Sequence, residues 1–293
     1  MRILVTGTAG QFVSAIKSLQ TSHEIVTLGR PQADLAAPET LRAPIERVRP
    51  DLILSSAAYT QVDKGESEPD VAYRINAEAP AELARIARTL DVPLLHISTD
   101  FVFDGTKGAP YIESDPTHPL NVYGASKLAG EAAIAAEYGN HAIARTAWVY
   151  SAFGNNFAKT MLRLAESRDT VSVVADQKGC PTWGIELATV LIAMGERLAA
   201  DANPDLRGIF HVTGEGGGSW AEFAEAIFAG LTARGGKQVA VTPIPSSDYP
   251  LPANRPADSR LNCDKLRKIY GLGLDPWRVS LDACLDGLIK PAA

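Results

Sequence analysis

The chain is poor in cysteine, in net positive charge and in long apolar runs. Its 293 residues include three cysteines, Cys180, Cys263 and Cys284. An odd, widely spaced set makes neither a disulfide framework nor a metal knuckle, so a reducing cytoplasm is the expected compartment. Asp and Glu outnumber Lys and Arg by 34 to 28, a formal net charge of -6. No basic face advertises nucleic acid, and no nucleic-acid partner is expected. No apolar run reaches the roughly 18 residues of a membrane span, so no membrane partner is expected either. The first residues enter a strand pattern at once, which leaves no stretch for a signal peptide. Internal repeats and low-complexity tracts are also missing. What is present, 46% hydrophobic and 21% charged residues, suits a soluble globular protein of one large domain or two.

Short apolar runs at 3–6, 24–28, 52–55, 94–97 and 142–146 alternate with helical patterns through the first half. Strands buried on both faces of a parallel sheet read this way. The clearest helical stretch is 77–90, where Ala79, Leu83, Ile86, Ala87 and Leu90 share one stripe and Arg85 and Arg88 lie off it. This alternation predicts an α/β fold built on a doubly wound, Rossmann-type parallel sheet. The second half is mixed: helical patterns at 155–167 and 183–199, a lone strand at 208–213, and a proline-rich loop at 242–256. Ser219 and Glu222 have capping-box spacing at the head of another helix.

The first strand runs into Thr6-Gly7-Thr8-Ala9-Gly10-Gln11-Phe12-Val13-Ser14. Gly7 and Gly10 suit a turn that lets a pyrophosphate approach backbone amides at a helix start. Val13 stands where a third small residue is usual. That third position relieves helix–sheet packing and does not face the phosphates, so Val13 is expected to be buried against strand one, with Ala57 or Ala58 making room. Strand two ends at Leu28-Gly29-Arg30 with no acid until Asp34. Arg30 either pairs with a 2′-phosphate, which favours NADP, or lies free on the surface. Asp34 and Leu35 fall where adenine would lie. The expected division is a dinucleotide-binding domain over 1–154 and a smaller α/β, mainly substrate-binding, domain over 155–293, with strand 208–213 returning to the first sheet.

The most informative pattern is Tyr123-Gly-Ala-Ser-Lys127. On a helix, positions i and i+4 share a face, so phenol and ammonium enter one cleft unless this is merely a solvated face. A nearby cation is expected to draw the phenol below its usual pKa of about 10. Upstream, strand 94–97 ends in Ser98-Thr99-Asp100, and a hydroxyl there can hydrogen-bond a substrate carbonyl.

Together, TGTAGQ, SSAAYTQVDKGESEPDVAYRIN, ISTDFVFDG, HPLNVYGASKLAGE, ARTAWVYS, DQKGCPTW, GIFHVTGEG and RPADSRLNCDKL run in order from residue 6 to about residue 267. In these the chain resembles the dTDP-4-dehydrorhamnose reductase family of extended short-chain dehydrogenase/reductases. The resemblance implies reduction of a sugar-nucleotide 4-keto group by NADPH, with NADH as the alternative cofactor, in the synthesis of dTDP-rhamnose. It implies catalytic roles for Thr99, Tyr123 and Lys127. It implies cofactor contacts at Gly10, Gln11, Phe12, Arg30, Asp34, Leu35, Ala58, Tyr59 and Thr60, beside the glycine-turn residue Gly7, and again at Tyr123 and Lys127. Substrate contacts are implied at Thr99, Asp100 and Trp148, at Val62-Asp63, and at Phe101, which replaces the family's usual tyrosine. Trp148 packs against ligand or is a core aromatic, and Asp63 either lies near the sugar or only caps the helix after it. Arg255 and Arg260 suit a substrate pyrophosphate, or form surface ion pairs, with at most one expected to touch ligand. Cys180 replaces a small apolar residue. Some family members hold magnesium through glutamates at a dimer interface; no such cluster can be named here, so no required metal is expected. A monomer or homodimer is expected. The rivals are a 4,6-dehydratase or epimerase, and a non-catalytic NADP-binding regulatory protein. A dehydratase needs a second acid after Asp100, and Phe101 occupies that position.

Overall fold

The computed structural model describes residues 1–289. Its strands are β1 (Arg2–Thr6), β2 (Glu24–Leu28), β3 (Leu52–Ser55), β4 (Leu94–Thr99), β5 (His141–Thr146), β6 (Val149–Tyr150), β7 (Thr170–Val174), β8 (Lys178–Gly179), β9 (Thr182–Trp183), β10 (Gly208–His211), β11 (Gly218–Ser219) and β12 (Ala240–Ile244). Its helices are α1 (Gln11–Ser18), α2 (Arg42–Val48), α3 (Val62–Gly65), α4 (Pro69–Tyr73), α5 (Ala79–Leu90), α6 (Val122–Glu137), α7 (Phe157–Ala165), α8 (Gly184–Ala200), α9 (Trp220–Ala233), α10 (Asp264–Tyr270) and α11 (Trp277–Leu288). Among the described residues no helix is long and apolar enough to cross a membrane.

Six strands form one parallel sheet in the order β10-β5-β4-β3-β1-β2. Every residue of β3 and β5 is buried; β3 is the near-continuous apolar run such a strand calls for, whereas β5 also buries His141, Arg145 and Thr146. The chain order reverses between β1 and β3, and the crevice outside their carboxyl ends is where ligands bind in such sheets. One face packs Ile3, Val5, Leu54, Leu95 and Ala144 against Val13 and Ile16 of α1 and Leu187 and Leu191 of α8. The other packs Leu4, Ile53 and Leu94 against Ile45 of α2, Leu83 and Ile86 of α5 and Ile134 of α6.

A second core forms beyond the sheet's carboxyl edge. Met161 of α7, Phe223 and Phe228 of α9, and Trp277 and Leu285 of α11 pack with Tyr150 and Val171. Three two-stranded ribbons, β6-β9, β8-β11 and β7-β12, frame it. β12 takes in 242–244, which the proline content places in a loop. Pro243 is tolerated because both strands of a two-stranded ribbon are edges. The capping box forms: Ser219 Oγ accepts from the Glu222 amide at 3.1 Å, and Glu222 Oε2 accepts from the Ser219 amide at 2.6 Å.

Candidate active site

The nucleotide side of the crevice is built from backbone turns. Gly7 and Gly10 have φ of 100° and 107°, a region that L side chains rarely adopt. A Cβ on Gly10 would meet nothing within 4 Å, so the turn opens onto the cleft. No side chain caps α1. Its first amides are left for a ligand, and they carry the positive end of the helix dipole. Val13 is 4% exposed and packs in the sheet core, its Cγ2 beneath Gly7 beside the Ala57 Cβ. The side chain of Gln11 is engaged by protein: it donates to Val149 O and accepts from Ser151 Oγ and Asn156 Nδ2.

A pocket of about 310 Å³ brings Gly7, Arg30, Asp34, Leu35 and Ala58 together at the ends of β1 and β2. Asp34 Oδ1 accepts from the Ala36 amide at 2.9 Å and so shapes its own turn. Arg30 is exposed and has no ion-pair partner among the described residues. A larger cleft of about 560 Å³ adjoins this pocket through Ala9, Ala57 and Ala58. It gathers Gly10, Gln11, Phe12, Thr60, Thr99, Asp100, Tyr123, Lys127 and Trp148. Tyr59 lines neither space. Asn76 holds its main chain by two hydrogen bonds, and its phenol donates to Glu68 Oε2 at 3.1 Å.

Tyr123 and Lys127 reach the cleft because α6 starts against the end of β4. Asn121 caps the helix, accepting from the Gly124 amide at 2.8 Å. A Cβ on Gly124 would lie 2.1 Å from Phe101 O, so only glycine permits this approach. Lys127 is 2% exposed, and its ammonium donates to Ile97 O at 2.6 Å and to His96 Nε2 at 3.1 Å. An ammonium only donates, so His96 Nε2 accepts and its Nδ1–H points to Ser55 Oγ at 2.9 Å. Burial and the neighbouring Lys127 charge hold the imidazole well below its usual pKa, so it stays neutral. Burial also lowers Lys127 to about 8.

The expected acidification of Tyr123 does not appear. Burial pushes the phenol up to about 12, and the Asp100 charge adds to this, outweighing the Thr99 hydroxyl. The Lys127 ammonium is committed to Ile97 and His96 and contributes no lowering. Asp100 is itself raised by burial to about 6, although Thr99 Oγ1 donates to it at 3.0 Å and Ser259 Oγ at 2.5 Å. Ser259 thus ties the second half of the chain to the end of β4.

The remaining substrate-side residues scatter. Trp148 lines the cleft with φ of 44°, and its indole stacks on Trp220 with centroids 3.4 Å apart. Phe101 packs edge-on to Tyr123 with centroids 5.8 Å apart, outside the cleft lining. Val62 is half-buried at the start of α3, away from both spaces. Arg255 makes a bidentate pair with Asp63, at 3.0 and 2.7 Å, and Arg260 pairs with Asp258 at 2.6 Å.

Several polar residues at this site escape the sequence patterns. Glu131, one turn beyond Lys127, is buried in an ion pair with Arg145 of β5 at 2.6 Å and accepts from Ser98 Oγ. Their one signal is polar residues alternating through the apolar strand Leu94-Leu-His-Ile-Ser-Thr99. Thr146 also lines the cleft, and its buried hydroxyl finds no partner among the described residues. Among the described residues no three His, Cys, Asp or Glu side chains group as metal ligands would.

The open glycine turn, the exposed guanidinium lining the smaller pocket and the buried hydroxyl without a partner among the described residues fit a dinucleotide. With the parallel sheet and its switch point they define a Rossmann-type nucleotide-binding protein carrying a Tyr–Lys pair in the cleft. The chain belongs to the RmlD substrate binding domain family, whose model matches residues 1–289. It is 48% identical to a dTDP-4-dehydrorhamnose reductase of Sinorhizobium fredii over 96% of this chain and 95% of that one. It is 44% identical to the Burkholderia thailandensis reductase over 99% and 100% of the two chains. The solved structure of the Bacillus anthracis reductase in complex with NADP superposes with a TM-score of 0.90, at 33% identity, over 97% of this chain and 98% of that one.

Proposed function

We propose that this chain reduces the C4 keto group of dTDP-4-dehydrorhamnose to give dTDP-L-rhamnose, with NADPH as the preferred cofactor. The observation that carries this reading is the convergence of Thr99, Tyr123 and Lys127 on one cleft continuous with a dinucleotide crevice. Bound NADPH supplies the hydride. Tyr123 gives its proton to the C4 oxygen as that oxygen gains charge. A phenol raised to about 12 suits this direction of reaction: it stays protonated at neutral pH yet remains far more acidic than the alcohol it creates. Ile97 O and His96 Nε2 take two of the three Lys127 N–H groups. The third is left for the hydroxyls of the nicotinamide ribose. Thr99 turns its hydroxyl from Asp100 to the carbonyl oxygen, where a fixed donor favours the developing charge. Asp100, steadied by Ser259, accepts from a sugar hydroxyl. Residues 1–154 mainly hold the dinucleotide, and residues 155–293 mainly shape the sugar-nucleotide side.

Arg30 supports NADPH over NADH because its guanidinium is free beside the adenosine pocket. The test is turnover with dTDP-4-dehydrorhamnose. One NADPH is consumed per dTDP-L-rhamnose formed, and Arg30→Ala weakens NADPH by about tenfold, the scale of a charge-assisted hydrogen bond, while sparing NADH. Product formed without net loss of NADPH points to an epimerase, and NADPH binding without turnover points to a regulatory protein.

A further inference from the structure

We propose that the Thr146 hydroxyl docks the nicotinamide carboxamide of the bound cofactor, an assignment that rests on the NADPH-dependent reading above. Thr146 ends β5 directly beside Thr99, its register partner at the end of β4. The two hydroxyls differ in what they touch. Thr99 Oγ1 donates to Asp100 and accepts from the Phe101 amide. Thr146 is 5% exposed, and its oxygen has no hydrogen-bond partner among the described residues. Buried hydroxyls are normally paired, so an unpaired one lining a cleft marks a place for a ligand's polar group.

Strand geometry aims this hydroxyl at the cofactor side. Alternate residues of a strand face opposite ways. Arg145 faces α6 and Glu131, whereas Ala142 and Ala144 pack in the core shared with α1 and α8. Thr146 follows Ala144 onto that second face, the one carrying the α1 turn that opens to a pyrophosphate. Ile97, Ala147, Val149 and Leu187 give the same cleft an apolar part, beside the polar Thr99, Asp100, Tyr123 and Lys127. A buried hydroxyl without a partner, beside such apolar side chains, matches a flat ring bearing one primary amide. A hydroxyl both donates and accepts, and so can meet either atom of that amide. Fixing the amide fixes the ring's rotation, and hence which face of the ring is turned to the substrate.

The experiment compares wild type with Thr146→Val, Thr146→Ala and Thr146→Ser. Binding is read by quenching of tryptophan fluorescence, since Trp148 lines the same cleft. The ligands are NADPH, its 3-acetylpyridine analogue, which lacks the amide N–H, and its thionicotinamide analogue, which lacks the amide oxygen. Loss of one neutral hydrogen bond is worth roughly a threefold to tenfold rise in Kd. The Val and Ala variants are expected to show that rise with NADPH and a change under about twofold with at least one analogue, on the same basis. The Ser variant keeps wild-type affinity. The melting temperature of the Val variant does not fall, because it removes a polar atom with no partner. Equal losses with all three ligands, or no loss with NADPH, overturn the assignment. A wild-type chain that binds no NADPH contradicts the proposed function itself.

Discussion

Where β4 and β5 run side by side, the two faces of the sheet carry opposite chemistry. Toward α6 lie His96, Ser98, Lys127, Glu131 and Arg145, all buried and tied to one another or to main chain. Toward α1 and α8 lie Leu95, Ala142, Ala144 and Leu187, with Thr146 at the end. The first face fixes a lysine and, through α6, the tyrosine one turn before it. The second offers smooth apolar surface. The first face thus ties down its charged groups and lets Lys127 reach the cleft from behind, while the second lends the cleft the apolar lining of Ile97 and Leu187 beside Thr146.

This contrast can be broken at the ion pair. Arg145→Met leaves Glu131 as an uncompensated buried charge, and losing one partner of a buried pair costs about 3–5 kcal/mol. Chemical denaturation is expected to show that loss. A cost under about 1 kcal/mol, the range of exposed pairs, contradicts the view that Glu131 depends on Arg145 for its charge to be buried on this face.

A smaller effect sharpens the comparison through pH. On the proposed reading Lys127 holds the ribose as an ammonium, and burial brings its pKa down to about 8. A lowered lysine pKa means that the charged form is lost as pH rises through that value rather than in the usual lysine range. Affinity for NADPH is therefore expected to be steady from neutral pH to about 8 and to weaken above it, by at most about tenfold per pH unit. Asp100, raised to about 6, completes its titration below this window, and His96 stays neutral throughout. Lys127→Met should bind weakly with no such break. An equal break in that variant assigns the titration to another group.

The legible parts of the molecule were those set by local pattern. The β1 and β3 runs are legible because strands buried on both faces are apolar almost throughout. Tyr123 and Lys127 were visible because i and i+4 share a helix face. The core position of Val13 is legible because only the first two small positions of such a turn face a phosphate, while the third faces the sheet. What stayed hidden depends on partners distant in sequence. Arg255 meets Asp63 across 192 positions, and no spacing rule reports such a pair. The β7-β12 ribbon joins 170–174 to 240–244, where Pro243 argued for a loop. The raised pKa of Tyr123 was hidden too, because it depends on how deeply the phenol is buried and on where the Lys127 donors go.

The most direct test of the account is Tyr123→Phe, read in two ways on one preparation. Removing a general acid costs roughly 10²–10⁴ in kcat. The phenylalanine ring keeps the packing against Phe101, and the Lys127 hydrogen bonds to Ile97 and His96 do not involve the phenol. The predicted result is therefore a collapse of turnover with dTDP-4-dehydrorhamnose while the Kd for NADPH stays within about twofold of wild type, less than the loss of one hydrogen bond. Near-normal turnover with intact NADPH binding would contradict the assignment of Tyr123 as the proton donor.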